Sequence, residues 1–321
     1  MLLRAVQWGL GMAMAAGMGA GHAQEAARPI RLVVPYAAGG STDVLARVVG
    51  QKLSEMRGQG VVTDNRPGGG TVIATEIVAR AAPDGATLLM ATPALSVMPA
   101  LFPKLSFDVT KDFAAVTNIA GTSNVLVVHP GSAAHSVKEF VALAKANPGK
   151  FTYGSSGIGG ASHLASELFR SMAGIDVVHV PYKGGALAVT DMLGGRLTFI
   201  FANLTTAQPH IRSGKLRALG IGTEKRSIIM PELPTIAEGG VPGYEANNWN
   251  GVIAPRGTPR ATVDKLQRDI AVIVALPDIR EKLLAAAFEP IADTPVLFGR
   301  YLETERVKWG KVVRDAGVKP E

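Results

Sequence analysis

The sequence contains no cysteine. Disulfides, thiolate nucleophiles, cysteine-ligated zinc and a lipidated cysteine are excluded together. Without disulfides, the chain must hold itself together by its core. Charge is also sparse, at 18% of residues. With 47% hydrophobic residues, long disordered stretches are not expected. The formal net charge is +7, yet no dense Lys/Arg cluster and no interleaving of aromatic with basic residues marks a nucleic-acid surface. The six histidines show no metal-ligand spacing. Beyond the N-terminal segment no run approaches about 18 apolar residues, so no membrane span is expected in the mature chain.

What the N-terminus does hold is Arg4, then residues 5–21, mostly apolar and small, then Gly21-His22-Ala23 with small residues at the −3 and −1 positions. This is the layout of a secretory signal peptide over residues 1–23, cleaved after Ala23. The rival, a membrane anchor, would rest on 17 residues rich in Gly and Ala, at the short limit for a span. Cleavage removes Arg4 and no acid, leaving a charge of +6 that favours anionic partners.

With 321 residues, two domains are expected rather than one. Short apolar strands alternate with helical periodicity: strands at 31–35, 60–64 and 87–91, helices at 42–56 and 71–82. After a proline-rich connection the rhythm restarts, with strands at 125–128, 151–153, 177–180, 197–201 and 216–220 and helices at 137–146, 162–173 and 186–193. Residues 231–246 read as an irregular loop, 249–254 as a strand, and the last 60 residues as helices at 261–276, 278–287 and 294–316. A β-α-β-α-β order implies a parallel sheet covered on both faces. Ligands of such sheets bind where strands end and helices begin.

Three of those turns are rich in glycine: PYAAGGSTD at 35–43, YGSSGIGGAS at 153–162 and PYKGG at 181–185. A helix N-terminus carries unsatisfied N–H groups and partial positive charge, and glycine lets an anion approach the backbone. For a single turn, tight packing is the ordinary explanation; two such turns facing one cleft point to a carboxylate or phosphate. Catalytic patterns fall short. Gly160 stands where a P-loop needs lysine, Ser162 replaces the last glycine of a dinucleotide fingerprint, and Ile158 the last glycine of a nucleophile elbow. A secreted hydrolase using Ser156 and His163 is the rival from another class; His163 as a polar residue in the first helical turn is the plainer alternative.

Beyond these single patterns, PYAAGGSTDVLAR, NRPGGGTVIATEIVARAAPDGATLL, YGSSGIGGASHLASELF, VPYKGGALAVTDMLGGRL, HIRSGKLRALGI and GVIAPRGTP follow one another in this order. Together they resemble the periplasmic solute-binding proteins of the tripartite tricarboxylate transporter family, also called Bug proteins, from about Arg28 to Gly317. The resemblance implies an α/β, two-lobed periplasmic-binding-protein fold of type II-like, Venus-flytrap form, each lobe a mostly parallel sheet flanked by helices. It implies lobe 1 over 28–121 plus 224–321 and lobe 2 over 122–223. It further implies a periplasmic monomer without catalysis or cofactor, which captures a small carboxylate, di- or tricarboxylate included, for a membrane permease of large and small subunits. A sensor subunit that reports to a signalling partner stays open beside it.

Carried over by motif, lobe 1 would supply Tyr36, Ala37, Gly39, Gly40, Thr42, Asp43 and Thr92, and lobe 2 Ser155, Ser156, Gly159, Gly160 and Ser162. Lys183 and Asn203 lie at further strand ends. Asp43 either touches the solute or orders its own turn, and Lys183 is either a contact or a solvated charge. Two departures stand out. Val72 replaces an Asn of the family pattern NRPGAGGNIGA, and Asn203 stands where relatives tend to carry Asp. An amide can donate where an ionised acid only accepts, so Asn203 disfavours a ligand ammonium and suits a second carboxylate or hydroxyl.

Overall fold

The computed structural model describes residues 28–316. The signal-peptide segment expected at 1–23 lies outside them. Two sheets share one long strand. In the first, β1 (Ile30–Val34) lies between β2 (Val61–Asn65) and β3 (Thr87–Ala91), all parallel. In the second, β5 (Phe151–Ser155) lies between β6 (Val177–Pro181) and β7 (Phe199–Asn203), again parallel. Strand β4 (Phe113–Val128) runs antiparallel through both. Its first part pairs with β9 (Asn247–Pro255) and β10 (Glu289–Pro290), its last part with β7 and β8 (Arg217–Ile221). β9 in turn pairs antiparallel with β3 and closes the first sheet.

The helices cover both faces, as buried two-faced strands require. In the first lobe these are α1 (Ser41–Arg57), α2 (Val72–Ala79), α3 (Pro93–Leu101), α8 (Arg260–Ala275) and α9 (Pro277–Ala285). In the second they are α4 (Val137–Ala146), α5 (Ala161–Ala173), α6 (Gly185–Leu193) and α7 (Leu204–Arg212). The core divides accordingly. Leu32, Leu45, Met90, Val252 and Leu266 fill one side of the first sheet, and Val33, Leu89, Trp249 and Phe298 the other. An aromatic set of Phe140, Tyr153, Phe169, Phe199, Phe201 and Tyr244 dominates one side of the second. Met230, Leu233, Ile236 and Val241, in the irregular stretch after β8, pack into second-lobe cores, and the chain re-enters the first sheet at Asn247.

A long final helix, α10 (Pro295–Ala316), straps the two lobes together. Phe298 packs in the first lobe, while Trp309 and Val313 pack in the second. Glu305 is buried between them and accepts hydrogen bonds from the Nε1 of Trp249 (3.0 Å) and of Trp309 (2.8 Å). Burial pushes its carboxyl up, and the indole donors oppose that rise.

Three elements depart from the expected layout. α3 lies in the stretch expected as a proline-rich connection and α7 in one given no element; each contains proline, with Pro93 at the first turn of α3, Pro99 inside it, and Pro209 inside α7. Proline is tolerated in a first turn, where no N–H partner is needed. The beginning of β4, FAAVTNIAG, lacks the alternation that marks a strand, because both its faces are covered.

Candidate functional site

Four helix N-termini converge between the lobes. The cavity they enclose is about 20 Å³ and is lined by Tyr36, Gly40, Ser41 and Thr42 of the first lobe with Asn248 of β9, and by Ser156, Ala161, Gly185, Asn203 and Thr206 of the second. Gly40 caps α1, Gly160 caps α5, Gly184 caps α6 and Asn203 caps α7; none of these caps uses a side-chain hydrogen bond. The orphan N–H groups of four first turns therefore lie near one small space. Among the described residues no charged side chain lines it.

The first-lobe turn is held by its acid. Asp43 Oδ2 accepts from the Gly39 N–H (2.9 Å) and Arg47 Nε (3.0 Å), and Oδ1 accepts from Asn65 Nδ2 (3.0 Å). Burial works to raise the Asp43 pKa, but the bonds from Arg47, Gly39 and Asn65 outweigh it and hold the carboxyl below its usual range. Asn65 also donates to the Tyr36 carbonyl (3.0 Å), so NRPGGG and PYAAGGSTD are one unit. Tyr36 Oη pairs with Thr92 Oγ1 (3.1 Å), and burial pushes this phenol up to about 12. Thr42 Oγ1 donates to Asn250 Oδ1 (2.8 Å).

In the second lobe the turn after β5 is wound on hydroxyls and imidazoles. Ser162 Oγ accepts from the Ser156 N–H (2.7 Å) and donates to Ser156 Oγ (2.9 Å). The Gly159 N–H donates to His163 Nδ1 (3.0 Å), and the Gly157 N–H to Ser155 Oγ (3.1 Å). Ser155 Oγ lies 2.6 Å from His179 Nε2, and the His179 ring stacks on His163 and Tyr153. Burial pushes His163 down to about 4 and His179 to about 3, so both are neutral near pH 7. Gly160 admits no side chain, because a Cβ there would overlap Ser156 Oγ and approach the Gly157 carbonyl.

The lobes touch across this space. The Ala37 N–H donates to the Lys183 carbonyl (3.2 Å), and Asn203 Nδ2 donates to Ser41 Oγ (2.5 Å) while its Oδ1 accepts from Asn248 Nδ2 (2.7 Å). They are closed on one another, which is why the cavity is small.

Of the residues singled out from sequence, Tyr36, Gly40, Thr42, Ser156 and Asn203 line the cavity. Gly160 and Ser162 shape the turn behind it. The N–H groups of Ala37, Gly39 and Gly159, the carboxylate of Asp43, and the hydroxyls of Thr92 and Ser155 are bonded within the protein. Lys183 lines a neighbouring cavity. Ser156 and His163 do not form a nucleophile–base pair. His163 Nδ1 holds the Gly159 N–H and Ser156 is bonded to Ser162, so the hydrolase reading lacks its geometry. Sequence reading missed Ser41, Ala161, Gly185, Thr206, Asn248 and His179. Ser41, Ala161 and Gly185 stood inside or beside the turns already marked; Thr206 and Asn248 carried no local signal, because a strand and an unforeseen helix bring them there.

A larger cavity, about 620 Å³, opens between α8, α10 and the start of β4, and shares no residue with the glycine turns. Among the described residues no group of three or more metal-ligating side chains is assembled, and no helix is long and apolar enough to cross a membrane.

Comparison with known proteins agrees with this fold. The model of the tripartite tricarboxylate transporter family receptor matches residues 45–318. Protein BugT of Bordetella pertussis is 37% identical over 295 residues, covering 91% of this chain and 90% of its own. An R. palustris protein solved with adipate superposes with a TM-score of 0.88 at 37% identity, over 92% of this chain and 99% of that one. MatC from Rhodopseudomonas palustris with bound malate gives 0.85 at 29% identity, over 89% and 99%.

Proposed function

The chain belongs to the tripartite tricarboxylate transporter receptor family, a family of solute-binding receptors and not of enzymes, and from this premise we propose that it captures a small carboxylate between its lobes. The observation that carries the proposal is the convergence of four helix N-termini on one uncharged, hydroxyl- and amide-lined cavity. Each N-terminus favours an anion by roughly 0.3–1 kcal/mol, and up to about 2 when partly buried. A hydrogen bond to a charged group adds about 1.5–3 kcal/mol. A cavity of about 20 Å³ has room for one small group, such as a carboxylate head. Closure excludes water and strengthens each of these terms.

The two neighbours solved with adipate and with malate hold dicarboxylates, which supports the same class of solute here. Asn203 keeps one N–H beyond its bond to Ser41, available to an oxygen of the solute. Tyr36, Gly40, Ser41 and Thr42 meet the solute from the first lobe, and Ser156, Ala161, Gly185 and Thr206 from the second. Asp43, Thr92, Ser155, His163 and Ser162 hold the turns that do so. The lobes swing about the β4 crossing near Gly121–Asn124 and the return at Asn247. The receptor works in the periplasm after loss of its leader, and hands the solute to a two-subunit permease.

Native mass spectrometry of freshly purified protein, followed by identification of the released small molecule, tests the reading. A carboxylic acid recovered unchanged supports it. A bound amine without a carboxylate, or turnover of an added ester or amide, overturns it.

A further inference from the structure

A second cavity, about 300 Å³, adjoins the carboxylate seat through two shared residues, Tyr36 and Ser156. Its walls come from both lobes. Pro35, Phe102 and the Gly68–Thr71 turn face Ile158, Pro181 and Tyr182. The phenol of Tyr182 donates to Asp191 Oδ2 (2.7 Å), and that of Tyr36 is paired with Thr92, so both rings have their hydroxyls engaged within the protein. Gly70 keeps the two walls close: its φ is +58°, and a Cβ there would lie 2.7 Å from Phe102 Cζ and 2.9 Å from the Ile158 carbonyl. Lys183 is the one charged residue among those lining the cavity, and among the described residues its ammonium has no ion-pair partner.

From these features we infer that the 300 Å³ cavity is the distal half of the solute site, that it takes an extended apolar body, and that Lys183 selects a second anionic group at the far end. The inference rests on the carboxylate reading above and sharpens it: the solute is an elongated dicarboxylate. The seat is too small for more than one carboxylate head, so the rest of the molecule must leave it. The adjoining space is open to it, apolar along its walls and cationic at its exposed side. An acid lining that space would have favoured an amine, and none does among the described residues. Lys183 marks the far end as a point charge on a flexible stem, which tolerates some variation in solute length.

Calorimetric titration of the whole protein, stripped of endogenous solute, with succinate, hexanoate and adipate tests this. Hexanoate and adipate have the same length and differ in the distal charge. The expected result is adipate over hexanoate by roughly five- to tenfold at low salt, shrinking as salt is added, and adipate over succinate. In Lys183→Met, which keeps most of the apolar stem, the adipate-to-hexanoate ratio falls below about twofold. Lys183 is exposed and its carbonyl contact to Ala37 is untouched, so circular dichroism should report an unchanged fold. A ratio that survives in Lys183→Met, or succinate binding as tightly as adipate, overturns the inference while leaving the carboxylate seat standing. If none of the three acids binds the unsubstituted protein, this inference falls, while the carboxylate reading is decided separately by the acid released from the purified protein.

Discussion

Acidification below pH 6.5 should destabilise the fold as a whole, and His163 sets the scale. This imidazole is 3% exposed, accepts the Gly159 N–H at Nδ1, and lies against His179. Burial, and secondarily the Arg170 charge, push it from the usual 6.5 to about 4. A histidine whose folded pKa lies below its unfolded value stabilises the fold fully above pH 6.5. That contribution is lost as pH falls toward 4, because the unfolded chain takes up the proton first. At pH 5 the loss covers 1.5 of those units, about 2 kcal/mol at roughly 1.36 kcal/mol per unit. His179, pushed the same way by burial and by its His163 neighbour, adds to the loss. Tyr153 and Glu167 share the site, and the short Tyr153–Glu167 hydrogen bond keeps that acid engaged. Urea denaturation at pH 7 and pH 5 should therefore show His163→Asn, which keeps an acceptor near Nδ1 but does not titrate, losing about 2 kcal/mol less than the unsubstituted protein. Solute affinity should hold down to about pH 5 and fall only near pH 4, where the folded imidazole itself takes up a proton and the Gly159 N–H loses its acceptor. If both proteins lost the same stability between pH 7 and 5, the assigned role of His163 would be wrong.

Other substitutions probe separate parts of the account. Glu305→Ala strands two buried indole N–H groups and should destabilise the protein by about 2–5 kcal/mol, read from urea midpoints; a change under about 0.5 kcal/mol would remove α10 as a strap. Gly160→Ala should cost about 1–3 kcal/mol of stability and at least about tenfold in solute affinity, since its Cβ displaces Ser156. Gly40→Ala, with only the Ala37 carbonyl at 3.7 Å, should stay within about 1 kcal/mol. Asp43→Ala releases Gly39, Asn65 and Arg47 together and should lose about 1–3 kcal/mol, with weaker solute binding measured by calorimetry.

What could be read from sequence was set by local chemistry. Glycine pairs ahead of apolar periodicity marked α1, α5 and α6 correctly, because capping and approach are properties of adjacent residues. Asn203 stood out as a departure from a family pattern, but its bonds to Ser41 and Asn248 depend on lobe closure. Asn248 and Thr206 reach the cavity through β9 and α7, and no spacing rule links positions so far apart in the chain. Proline hid α3 and α7, and double-sided burial hid the first part of β4. The Ser156–His163 pairing shows the opposite hazard: proximity in sequence placed both residues at one turn, where each took a different partner.

The central claim is that a carboxylate sits at the mouth of α1, and Gly40→Val tests it most directly. The backbone there, φ −78° and ψ 166°, is open to valine, and a Cβ meets nothing nearer than 3.7 Å, so the fold should persist. The isopropyl group would occupy the anion's place. Titration calorimetry with adipate should show binding to the unsubstituted protein and a loss of at least about 100-fold in the variant, the equivalent of about 2.7 kcal/mol of lost anion contacts. Adipate affinity retained within threefold in a folded Gly40→Val protein would contradict the account.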